Sequence, residues 1–194
     1  MRALFFLLFI IIVITSMACD ESGSSEDGGT PVDSAWLEDC RAEAALDIGR
    51  CVDGAGTPCT GGEATADAFF DPLPADGTLA PVIGPQGAAM FALAVRASGI
   101  APGDPAEAFS SDNPILEIDL LDETASELVA TYRGRSGMRV TADMADTFEH
   151  PQVFVVVDHS ISTLRGDRLQ VEAVLTDTDG ALRCGSAELF APES

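Results

Sequence analysis

The sequence predicts an all-β domain built as a two-sheet sandwich. Three observations carry that expectation. Segments downstream of Phe69 alternate apolar and polar residues with the two-residue period of a half-buried strand. Turn signals rich in Gly, Pro and Asp recur between those segments, and no useful length of the region keeps the helical 3.6-residue period. Ahead of the domain stand an oily leader, an acidic tract and a cysteine-bearing segment.

Residues 1–18 read as a signal peptide. Arg2 supplies a positive start, and Ala3 to Ile14 form an apolar core too short for a spanning helix, which needs about 20 apolar residues. The flank that follows is acidic, which disfavours an uncleaved anchor. The small residues Ser16 and Ala18 place a cut before Cys19. Residues 19–33 open on Cys19 and continue as "DESGSSEDGGTPV", a polar run with too little apolar surface to repay ordering. It is expected to act as a flexible linker with a relaxed reach of ~20 Å, from roughly 5–6 Å × √n.

Residues 34–62 form the cysteine-bearing segment. Ser34 suits a helix N-cap, and Trp36, Leu37, Cys40, Ala44 and Ala45 fall near helical spacing, so one short helix ending at Gly49 is expected. "CVDGAGTPC" brackets a turn between Cys51 and Cys59. The preferred pairing is Cys51–Cys59 with Cys40–Cys184, and two other connectivities remain open. A zinc site is disfavoured, because His150 and His159 lie far off and no CxxC occurs.

The sandwich is assigned to residues 63–192. Ala88 to Ser98 put Phe91, Leu93 and Val95 on one face and Arg96 on the other. In "PILEIDLLD" Leu116, Ile118 and Leu120 point inward, Glu117 and Asp119 outward. A shorter strand centres on Val129. "PQVFVVVDHSI" is almost continuously apolar, as suits a strand covered on both faces. Leu169, Val171, Ala173 and Leu175 again alternate with Gln170 and Glu172, and "ALRCGSAELF" closes the domain. Asp179-Gly180 between the last two strands predicts a type I′ hairpin.

Two family resemblances follow. The leader with Ser16-Met17-Ala18-Cys19 resembles the lipobox of bacterial lipoproteins, with Ser16 where that family carries an aliphatic residue. The resemblance implies diacylglycerol on Cys19. Ordinary signal-peptidase cleavage before the same cysteine is the other reading. Cysteine count favours lipid, since five cysteines in an exported chain leave one over. Asp20 resembles the signal that retains some lipoproteins in the inner membrane. The strand pattern from Asp71 to Pro192 resembles immunoglobulin-like and fibronectin-III-like domains of bacterial surface proteins. It has no antibody-type Cys–Trp–Cys arrangement, its sole tryptophan being Trp36.

The chain has 32 acidic residues against ten arginines and no lysine, a formal charge of −22. Such a surface repels phosphate backbones and disfavours nucleic acid as a partner. The candidate ligand loops are Gly84–Gly87, which projects Gln86, Asp104–Pro114, and Arg133–Arg139. The last gathers Arg133, Arg135 and Arg139 into a corner suited to a carboxylate or phosphate, or into a charge-balancing turn. Asp177-to-Gly180 resembles the start of a calcium loop, with Glu188 at the matching distance, but strand-like flanks favour a plain turn. A sandwich-end calcium site using Asp104, Asp112 and Asp179 stays open. Asp158, His159 and Ser160 are adjacent on a strand, so they cannot converge as a catalytic triad. Asp143 and Asp146 form an acidic pair with no cleft implied.

The resulting expectation is a lipid-anchored cell-envelope protein on a bacterial membrane, serving as a non-catalytic binding module for a protein or glycan. An accessory subunit of an envelope complex is the alternative, and an enzyme of unknown class the third. No cofactor is implied.

Overall fold

A computed structural model of the chain describes residues 46–60, 67–107, 110–124, 126–141, 144–157, 161–164 and 166–192. These form an all-β structure of two antiparallel sheets. The strands are β1 (Leu46–Val52), β2 (Phe69–Pro72), β3 (Val82–Ile83), β4 (Ala89–Ser98), β5 (Ile115–Asp122), β6 (Glu127–Arg135), β7 (Arg139–Val140), β8 (Thr147–Val156), β9 (Arg168–Thr176) and β10 (Leu182–Phe190). One helical turn, α1 (Ile161–Leu164), precedes β9. The first sheet runs β2-β1-β4-β8-β7, with β3 taking over the β4 edge beyond the end of β1, and the second runs β10-β9-β5-β6.

Alternation decides the interior. Phe91, Leu93, Val95 and Ala97 of β4 and Val153 and Val155 of β8 face Leu116, Ile118 and Leu120 of β5 and Leu169, Val171, Ala173 and Leu175 of β9 in one core. Leu164 of α1 is buried in the same core. Removing these side chains from water supplies the main driving force for closing the sandwich. Their inward placement agrees with the alternation in the sequence.

Strand β8 departs from a simple period. Leu93 pairs with Val153, but Val95 pairs with His150, so two steps on β4 match three on β8. The extra residue forms a bulge at Pro151-Gln152, where a strand tolerates a residue without an N–H. The bulge resets which side faces in, so Phe148 before it and Val153 after it both pack on the core. The expectation that this run is covered on both faces holds only in part. Phe154 is half-buried and Val156 is 44% exposed, because cover on the outer face does not reach the end of the strand.

Two further differences have local causes. Gly49, expected to end a helix, lies inside β1, where Leu46 to Arg50 pair with Ala97 to Leu93. A side chain at position 49 would strike the Phe70 ring and the Asp71 carbonyl, so glycine serves close strand packing there. The helix expected before it lies outside the described residues. Among the described residues the sheet is already present at Leu46, within the segment that composition set apart as 34–62. The β9–β10 turn is not type I′ either, since Gly180 (φ 82°) has positive φ and Asp179 does not. Gly180 N–H donates to the Asp177 carbonyl, and Asp177 N–H to Ala181. This is the three-residue hairpin with a left-handed glycine.

Cys51 and Cys59 form a disulfide, as expected. The bridge is buried with Ala68 and Ala92 in a second small cluster on the outer face of the first sheet. Cys184 is also disulfide-bonded, and its partner lies outside the described residues, as do Cys19 and Cys40.

Candidate functional site

The three expected arginines are not brought together. Arg133 and Arg135 end β6 in the second sheet, whereas Arg139 opens β7 in the first. Between them the chain is pinned by Ser136 N–H to the Pro114 carbonyl (2.9 Å) and Met138 N–H to the Pro102 carbonyl (2.8 Å). Arg133 binds both carboxylate oxygens of Asp119 at 2.9 and 3.1 Å and reaches Glu117 at 2.9 Å. The hydrogen bond to Asp119 raises its affinity for its proton further. Arg135 donates to the carbonyls of Ser111 and Asn113 and so fastens the 104–114 loop. Arg139 binds Glu149 Oε1 through Nε at 3.0 Å and Nη2 at 2.7 Å.

Other predicted loops also carry their own internal bonding. Gln86 sits exposed at the tip of a turn closed by Gly87 N–H to the Gly84 carbonyl. Asn113 is buried and organises the 104–114 loop, accepting from Asp104 N–H at 2.7 Å and donating to the Glu107 carbonyl at 2.7 Å. Asp177 spends its carboxylate on the N–H groups of Asp179, Ala181 and Ala101. Among the described residues no group of three His, Cys, Asp or Glu is placed to hold a metal ion. Asp143, Asp158, His159 and Ser160 lie outside the described residues.

A concave surface does form, elsewhere. A groove of about 600 Å³ lies on the outer face of the first sheet, lined by Phe69, Phe70, Arg96, Arg139, Val140, Thr141, Met144 and Glu149. Its floor is polar and fully committed. Glu149, 7% exposed, accepts from Phe70 N–H at 3.2 Å and from Arg139. Arg139 Nη2 also donates to the Ala68 carbonyl. One carboxylate thus ties β2, at one edge of the sheet, to β7 and β8 at the other. Arg96 stacks 4.2 Å over the Phe70 ring and donates two hydrogen bonds to Asp47. The rim is apolar, with Phe69, Val140 and Met144 exposed.

Beside this groove, His150 is directed inward by the bulge, opposite Val95. Its Nδ1 is buried with no hydrogen-bond partner. Burial, with a smaller contribution from the nearby Arg139 charge, pushes its pKa below the ordinary histidine value.

Every described arginine is paired within the chain. Arg50 meets Asp71, Arg96 meets Asp47, Arg168 meets Glu188, and Arg183 donates to the Ser98 and Gly99 carbonyls. The charge that remains outward is therefore strongly acidic. No family model matches the chain, and no curated protein or solved structure is significantly similar to it.

Sequence reasoning located Arg139 but not its partners. Met144 and Glu149 follow Arg139 within ten residues, whereas Phe70 and the Ala68 carbonyl come from about 70 positions away, and nothing local marks that convergence. Arg96 offered one signal, as the sole charge inside a ten-residue apolar strand.

Proposed function

We propose that the protein is an exported lipoprotein, held on a bacterial membrane through lipid on Cys19, whose sandwich is a non-catalytic binding module. The observation that carries the export reading is the buried Cys51–Cys59 bridge together with a bonded Cys184. Disulfides persist in oxidising compartments. With Cys51, Cys59 and Cys184 accounted for, Cys184 takes one of Cys19 and Cys40, and one cysteine is left over. Cys19 follows the apolar leader directly and stands at the head of the acidic linker, where an acyl anchor would be useful. Stable anchoring takes more than one acyl chain.

Strand order supports the immunoglobulin-like reading of the sandwich. Labelled A, B, C, C′, D, E, F and G in chain order, β1, β4, β5, β6, β7, β8, β9 and β10 give the sheets A-B-E-D and C′-C-F-G. That order is the one expected of an immunoglobulin-like sandwich with one added C′ strand, β2 and β3 being extra. Such folds host many functions, so the binding role rests on the site. The 600 Å³ groove has the size and apolar rim of a recognition surface.

Two measurements test this. Cys19→Ala should move the protein from the membrane fraction to the soluble fraction, and unchanged fractionation would defeat the lipid assignment. Val140→Asp and Met144→Asp alter exposed rim positions. They should abolish partner capture by the domain at unchanged melting temperature; capture that survives both assigns recognition elsewhere.

A further inference from the structure

A second groove, of about 490 Å³, lies where the two sheets meet, between β1, β2 and β10. Leu46, Ile48, Phe70, Pro72, Arg96 and Cys184 contribute to its lining. The Leu46 carbonyl presses so closely on Gly185 that any side chain there would collide with it. Cys184, adjacent to that contact, is disulfide-bonded. Because Cys51 is joined to Cys59, its partner is Cys19 or Cys40. Leu46 is also the first described residue, so the chain arrives from its N-terminal side at the rim of this groove.

We propose that the groove is the dock of the chain's own segment Ser34–Ala45, locked by a Cys40–Cys184 disulfide and seated through Trp36 and Leu37. Cys40 lies six residues before Leu46. That span reaches at most about 20 Å at 3.3–3.6 Å per residue, enough to return to Cys184 beside Leu46 and short enough to hold the segment at the groove. Cys19 lies 27 residues before Leu46 and would close a longer loop at greater entropic cost. The assignment rests on the lipoprotein reading only in that an acylated Cys19 has no thiol to offer.

Chemistry at the two surfaces matches. The segment carries Trp36, Leu37, Ala44 and Ala45 for an apolar contact. The groove presents Phe70, Pro72 and Ile48, with the Arg96 guanidinium held by Asp47 at the same wall. A buried tryptophan brings a large apolar area, about 150–250 Å². Docked in this way, the linker would pull on β10 through Cys184 rather than directly on the start of β1.

The sole tryptophan makes the full chain its own reporter. Trp36 fluorescence should be blue-shifted and several-fold less quenched by acrylamide than in urea, at all protein concentrations. Peptide mapping without reduction should yield Cys40 joined to Cys184. Pro72→Asp, at an exposed position of the groove wall, should raise quenching toward the urea value while the circular dichroism stays that of a folded β protein. Free quenching of Trp36 in the native chain overturns the dock. Shielding that is lost on dilution also overturns it, by assigning the groove to a second copy. A Cys19–Cys184 link defeats both this proposal and the lipid reading. A Cys40–Cys184 link with unacylated Cys19 leaves the dock standing and the lipid reading fallen.

Discussion

The two sheets share one core but hold their outer faces by different means. On the second sheet the buried carboxylate is Asp119, 3% exposed. Its partners Thr131 and Arg133 sit on the adjacent strand, 12 and 14 residues away in sequence. On the first sheet the buried carboxylate is Glu149, and it receives Phe70 N–H from 79 residues away. Arg139 adds a donor to Ala68 across 71 residues. Around this clasp lie the Cys51–Cys59 bridge and the Arg96–Phe70 stack. Both sheets thus carry pairs between adjacent strands, and the first adds ties that join its opposite edges. Cutting a tie of the second kind should cost more, because it frees a whole strand rather than one side chain.

That contrast can be broken at its common base first. Phe91→Ala empties a fully buried site between the sheets and should cost about 3–5 kcal/mol, whatever holds the outer faces. Urea unfolding checks this; a loss below ~1 kcal/mol would show that the sheets do not share that core. Next, replacing Cys51 and Cys59 together by serine opens a loop with a sequence separation of 8. It should cost about 2–3 kcal/mol and lower the melting temperature accordingly.

The sharpest comparison sets Glu149→Ala against Asp119→Ala. Glu149→Ala leaves Phe70 N–H and Arg139 without their acceptor, and should cost about 2 kcal/mol, discounted because Arg139 is partly solvated. Asp119→Ala should cost about 1 kcal/mol, since Arg133 is largely exposed and keeps Glu117. Hydrogen exchange should show β2 amides opening in the first variant and only β5–β6 amides in the second. Equal losses would dissolve the distinction between the sheets.

The smallest effect concerns His150. Its folded pKa lies below the unfolded value of about 6.5, so the unfolded chain binds the proton more readily. The neutral imidazole's contribution is complete above that value and declines as pH falls below it. Denaturant titrations at pH 7.5 and 5.0 should therefore lose more stability on acidification in the wild type than in His150→Gln. A parallel loss in both would assign the acid sensitivity to carboxylates instead.

How much of this was legible depends on distance along the chain. The inward faces of β4, β5 and β9 could be read because alternation is a local, two-residue property. The β9–β10 turn could be read as a turn, but its type was set by one extra residue that Asp-Gly alone does not reveal. The groove was largely illegible, since Phe70, Arg96, Arg139 and Glu149 occur on four different strands. Arg133, Arg135 and Arg139 look like one cluster in sequence, and the crossing from β6 to β7 separates them onto different sheets. His150 gave no local warning either, because its inward aim comes from the bulge at Pro151.

By itself, then, the sequence determined the strand periods, the apolar run ahead of Cys19 and the acidic tract, and it favoured the local Cys51–Cys59 pairing over two other connectivities. Each depends on residues within about ten positions of one another, where backbone geometry and composition leave few alternatives. Only the tertiary structure decided which strands became neighbours, that Glu149 would join opposite edges of a sheet, and that every described arginine would be spent internally. The Glu149 tie closes a loop of 79 residues, and the arginine pairs range from 10 residues apart to 85. A chain does not encode such closures in any one window; they follow once the shared core fixes where the strands lie.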